Sequence, residues 1–106
     1  MEIILSGRQT GRTSRLIALA AEAEAKGECS YIVCVSTQEA YRISQQAKRQ
    51  GMNIGFPITY DELLSGEFHG GHIKNFYIDN ADWLLKYLTR GVKLAAITLE
   101  EEESNL

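Results

Sequence analysis

Apolar residues alternate between short unbroken runs and helically spaced rows. Glu2 to Leu5 is a β-prone run that meets Ser6-Gly7, and from Thr13 onward Leu16, Ile17, Leu19, Ala20 and Ala23 recur at the spacing of one helix face. The first pattern is therefore strand, glycine loop, helix. Lys26-Gly27 supplies the stop, because a cation suits the negative end of the helix dipole and glycine accepts a left-handed cap. Tyr31 to Val35 is a continuous apolar run, the mark of a strand covered on both faces. Ser36-Thr37 offers an N-cap to a helix over Gln38 to Gln50, with Ala40, Ile43, Ser44 and Ala47 inward and Gly51 behind. A third strand is expected over Asn53 to Ile58, at an edge because of Pro57. A short helix from Thr59 through Leu64 ends at Ser65-Gly66, and Phe68 to His72 reads as a loop. Asn75 to Ile78 is a fourth strand, Asp82 to Thr89 a helix, and Lys93 to Thr98 a fifth strand.

Strands alternating with helices imply right-handed crossovers and an α/β fold. The expectation is a three-layer sandwich around a mainly parallel sheet of 4–5 strands, with Ile4, Ile32, Val33, Tyr77, Ile78, Ala96 and Ile97 inside it. A chain of 106 residues allows one domain, taken as residues 1–99, followed by an acidic tail over 100–106 that is expected to be solvated or disordered. Residues 1–50 hold seven Lys/Arg against five Asp/Glu and residues 51–106 four against nine, so much of the net charge of -3 belongs to that tail. At a pI near 5.3 there is no basic stripe of the kind that grips a nucleic-acid backbone. No apolar run is long enough to span a membrane, and Met1 to Leu5 lacks a basic flank, so a cytoplasmic protein is expected. Cys29 and Cys34 flank a strand and suit neither a disulfide nor a zinc site; free thiols in a reducing compartment follow.

In a parallel helix-flanked sheet, ligands bind beyond the carboxyl ends of the strands. Here those ends are Ser6 to Thr13, Ser36-Thr37, Thr59 to Asp61, Asp79 to Asp82 and Thr98. They are small, hydroxylated or acidic, which suits a phosphate and a metal ion better than an apolar ligand.

Two of these segments carry a resemblance. Ser6-Gly7-Arg8-Gln9-Thr10-Gly11-Arg12-Thr13 is similar to the Walker A loop of P-loop NTPases, G-x-x-x-x-G-K-[ST], keeping the second glycine and the hydroxyl and replacing the first glycine and the lysine. Backbone N–H groups and a helix dipole hold most of the anion in such a loop, and neither depends on the replaced side chains. Ile78-Asp79-Asn80-Ala81-Asp82, after an apolar run, resembles the Walker B strand in its helicase-like Asp-Glu-Ala-Asp form. The resemblance implies a minimal P-loop NTPase-like fold of the helicase and AAA type, binding a nucleoside triphosphate or diphosphate (ATP or GTP) with Mg²⁺. It assigns nucleotide binding to Gly7, Thr10, Gly11, Arg12, Thr13 and Ser14, the metal to Thr13 and Asp79, and catalysis to Arg12, Asp79 and Asn80. Thr98 would be a sensor. Asn80 stands where the family has a glutamate that deprotonates water, and Arg12 is bulkier than lysine, so hydrolysis is expected to be weak or absent.

The resemblance covers residues 1 to about 99; the segments that bring an arginine finger and nucleobase contacts are expected to be missing or supplied by a protein partner or a homo-oligomer. A nucleotide-free interaction module is the rival expectation, and a helicase-like accessory subunit on single-stranded nucleic acid a third, poorly served by the few interleaved basic and aromatic residues. His69 and His72 read as a mobile connection rather than a metal pair, Arg90-Gly91 as a helix C-cap rather than a finger, and Trp83 to Leu88 as core residues with some left for a protein contact.

Overall fold

A computed structural model describes residues 1–5 and 11–100 of the chain. In order they form α1 (Arg12–Ala25), β1 (Cys29–Cys34), α2 (Thr37–Arg49), β2 (Ile58–Thr59), α3 (Tyr60–Leu64), β3 (Ile73–Ile78) and α4 (Ala81–Leu88). The sheet is parallel throughout, in the order β2-β1-β3. Its register sets Val33 beside Ile58 on one side and beside Ile78 on the other.

Side chains alternate across β1, and each face collects its own core. Ile32 and Cys34 pack with Leu16, Ile17 and Ala20 of α1 and Ala40, Ile43 and Ala47 of α2. Val33 packs on the opposite face with Ile58 and Tyr60, joined by Leu63 of α3, Leu84 of α4, Tyr31 and Phe68. Helices thus cover both faces, as the unbroken apolar run at Tyr31 to Val35 predicts. The second face is the thinner, since no residue of α4 is buried and Trp83, Tyr87 and Leu88 are each about half exposed. No helix among the described residues is long and apolar enough to cross a membrane.

The terminal strands are the main departure. Glu2 to Leu5 and Lys93 to Thr98 have no strand structure, so among the described residues the sheet has three strands rather than four or five. Ile32 and Val33 are in the core as expected and Ile4 and Tyr77 lean on it, but Ile78, Ala96 and Ile97 are exposed. A β-prone run becomes a strand only when a neighbour accepts its ladder bonds, and neither segment is paired. Strand structure over Asn53 to Ile58 is likewise reduced to Ile58–Thr59, whereas Ile73 and Lys74 extend β3 before the predicted start. Of the acidic tail, residues 101–106 lie outside the described residues.

The helix ends follow local chemistry. Ser36 Oγ accepts the Glu39 amide at the start of α2, and Thr59 with Glu62 forms a reciprocal capping box at the start of α3. Three helices close in the same way: the amides of Gly27 and Glu28, of Gly51 and Met52, and of Arg90 and Gly91 bond back to the last turn. In the first two the left-handed residue is glycine, at φ 78° and 70°, but in α4 it is Arg90 at φ 56°. The C-cap expected at Arg90-Gly91 is therefore present, with a side chain where glycine is preferred. Replacing Arg90 by glycine is expected to stabilise the fold by about 1 kcal/mol, read as a rise in the denaturant midpoint at unchanged slope.

Candidate functional site

The site grows from the β1–β3 pairing. β3 runs one residue beyond its last strand position, where the Asp79 amide donates to the Val33 carbonyl at 2.9 Å, and this carries the Asp79 carboxyl to the end of the sheet. Asp79 is 4% exposed. Arg12 and Arg42, and then Thr13 in the first turn of α1, favour the charged form of the carboxyl. Burial outweighs them: loss of hydration, then repulsion from Glu39, raises the Asp79 pKa above 3.8 despite the two guanidinium groups and the threonine.

α1 begins on Gly11 at φ 84°, ψ 18°, a left-handed conformation that makes glycine the natural residue there. No side chain caps this end, and the first turn holds no acidic residue. Its leading N–H groups have no partner within the helix, and the positive end of a helix suits an anion. The Ser14 hydroxyl instead accepts bonds from Gln46 Nε2 at 2.9 Å and Gln50 Nε2 at 3.0 Å, which fixes α1 against α2 and leaves Ser14 its backbone amide to offer. Gly7 and Thr10 of the predicted site lie outside the described residues, together with Ser6, Arg8 and Gln9.

Asn80 follows Asp79 in a left-handed conformation, φ 56°, ψ 61°, and is the residue from which α4 starts. Its amide nitrogen lies 3.5 Å from Asp79 Oδ2. Of the predicted set, Arg12, Thr13, Asp79 and Asn80 are thus brought to one end of the sheet, with Gly11 at their side. Thr98 is exposed and is not part of a strand. His69 and His72 are exposed in a loop, and among the described residues no three His, Cys, Asp or Glu side chains come together as a metal cluster.

Three participants escape the sequence reading. Glu39 and Arg42 are paired on the first turns of α2 and both act on Asp79. The strand-end rule marks Ser36-Thr37 but says nothing of residues one turn further on; the N-cap at Ser36 with Arg42 on the following turns is the signal that points to them. Tyr60 is the third. It is 1% exposed, and its hydroxyl lies 2.8 Å from the Asp79 carbonyl and 3.0 Å from that of Asn80. Cys34, fully buried beside them, has its thiol pushed up to about 11 by burial and is inert as a nucleophile at neutral pH.

The donor set is one of hard oxygens and guanidinium groups. A carboxylate and a hydroxyl can hold Mg²⁺ together with waters and phosphate oxygens, and the open helix end with Arg12 suits the phosphates themselves. The residues present therefore fit a Mg²⁺-bound phosphate ester. No protein-family model, curated protein or solved structure matches the chain.

The raised pKa of Asp79 has a thermodynamic sign. The folded state binds the Asp79 proton more tightly than the unfolded state, so stability is greatest while the carboxyl is protonated and falls as pH rises from 3.8 through the folded value. Asp79→Asn is expected to abolish that decline and to melt higher than the parent at neutral pH. Thermal unfolding across about pH 3 to 7 checks it, and parallel curves for the two proteins would remove Asp79 as the cause.

Proposed function

We propose that this chain is a small P-loop-like protein that binds a nucleoside triphosphate or diphosphate with Mg²⁺ and hydrolyses it slowly or not at all. The observation that carries the reading is the buried Asp79 carboxyl at a glycine-led helix start, within electrostatic reach of Arg12 and Thr13. Buried acids are costly and persist where a charge is to be met. In this reading Arg12 and the first amides of α1 orient the phosphates, Thr13 and Asp79 hold Mg²⁺, and Mg²⁺ neutralises phosphate charge when bound. Gly7 and Thr10 would complete the loop. Asn80, carrying an amide, offers water no base. Free thiols at Cys29 and Cys34 suit a reducing compartment such as the cytoplasm.

In this reading the sheet has four or five strands, and Glu2 to Leu5 would take the edge of β3 that is open among the described residues, so that the loop lies beside Asp79. A second reading, an interaction module acting with a protein partner or a second copy, is favoured by the half-exposed Trp83, Tyr87 and Leu88 of α4. A role beside single-stranded nucleic acid rests only on the resemblance.

Arg12→Ala against Arg15→Ala tests the site. Arg15 is one turn further along and pairs with Glu2 at 3.1 Å on the surface, so of these two Arg12 is the one this reading sets against the phosphates. ATP binding is expected to weaken by about tenfold or more in Arg12→Ala and by less than about twofold in Arg15→Ala, as charge-assisted and surface contacts differ by that scale. Equal losses in a calorimetric titration would count against a phosphate site at α1.

A further inference from the structure

We infer that Tyr60 is a positioning residue for this site, its hydroxyl holding the Asp79-Asn80 turn in the conformation that aims the Asp79 carboxyl at the start of α1. The inference rests on the reading above for its metal and adds to it a residue outside the motifs. The chain leaves β3 at Asp79 and enters α4 through Asn80, whose left-handed backbone is disfavoured for a residue with a side chain. Such a conformation persists where its surroundings over-determine it. Here the Asn80 carbonyl accepts the amides of Trp83 at 2.8 Å and Leu84 at 3.3 Å, and the Tyr60 hydroxyl is shared between that carbonyl and the one before it.

The tie is rigid for three reasons. Tyr60 is buried on all sides, packs with Val33 and Ile58, and begins α3 directly after a complete capping box. The neutral phenol has one proton to donate, and these two carbonyls are its acceptors. The ring is also the only link of hydroxyl type that runs from the β2–α3 corner to this turn among the hydrogen bonds of the described residues. Loss of the hydroxyl leaves the ring in place and the turn underdetermined, which displaces the carboxyl without removing it.

Tyr60→Phe tests this, with Tyr87→Phe as control; the Tyr87 hydroxyl is bonded to the exposed Asp61 instead. In the free protein, the ¹³Cα and ¹³Cβ shifts of Asn80 are expected to leave their left-handed values in Tyr60→Phe and to stay in Tyr87→Phe. With ATP as probe, the Mg²⁺ concentration for half-saturation should rise about tenfold in Tyr60→Phe while ATP binding without Mg²⁺ is unchanged, the scale seen when a residue behind a metal ligand is removed. A merely structural role would lower the melting temperature and leave that split unmoved. Unchanged Asn80 shifts overturn the inference. If the parent protein binds no ATP, the nucleotide reading fails on its own, and the Asn80 shifts still decide whether Tyr60 holds the turn.

Discussion

Ile43→Ala is expected to cost about 2–5 kcal/mol, a large part of the roughly 5–15 kcal/mol that holds a domain together. Ile43 is 0% exposed on the inner face of α2, between Ala40 and Ala47 and against β1. Removing three carbons there leaves a cavity that two flanking alanines cannot fill. The melting temperature should fall by about 10 °C or more. Because Arg42 adjoins Ile43 and Gln46 and Gln50 anchor Ser14 of α1, the site should loosen with the core. Ile97→Ala is the informative companion. With Ile97 55% exposed outside any strand, its loss should change stability by less than about 0.5 kcal/mol; a cost near 2 kcal/mol is what a completed sheet that buries it would give.

The second large effect is on turnover. Asn80→Glu returns a carboxylate to the position where the family resemblance expects a base, and general-base catalysis sets a scale of about 10²–10⁴-fold. The backbone and charge around Asn80 place the gain at the lower end of that scale. Glutamate tolerates φ 56° less well than asparagine, and the Asn80 side chain already lies 3.5 Å from an Asp79 oxygen, where a second carboxylate would be repelled. Arg12→Lys should add to the gain by placing a compact ammonium at the phosphates. Phosphate release by the double variant, at saturating ATP and Mg²⁺, is expected to exceed that of the parent by about 10²-fold. No increase would place the deficit outside these two residues.

What could be read from the sequence was local, and what could not was relational. Helix limits came within a residue or two because Ser36, Thr59, Gly27 and Gly51 cap by their own chemistry. The run at Tyr31 to Val35 announced a strand covered on both faces, and β1 is the central one. Glu2 to Leu5 and Lys93 to Thr98 carry the same β-prone character as β3, yet pairing is a property of the neighbour, which no local pattern contains. The site divides in the same way. Thr13 and Asp79 announce themselves by residue type at strand and helix ends, and the fold brings them to the same end of the sheet. Arg42, Glu39 and Tyr60 reach the same point from a helix turn and a sheet corner far along the chain. Their presence there depends on the crossing of α2 over β1 and on the parallel register of β2, and residue type alone carries neither.

The central claim is that Thr13 and Asp79 bind Mg²⁺ under a nucleotide held by Arg12 and the start of α1. Calorimetric titration of the purified chain with ATP and with ADP, with and without Mg²⁺, tests it most directly. Saturable binding that Mg²⁺ tightens is expected, with that tightening lost in Asp79→Asn. Absence of binding under both conditions, in a protein whose thermal unfolding is cooperative, would contradict it and leave α4 and its half-exposed aromatic residues as the working surface.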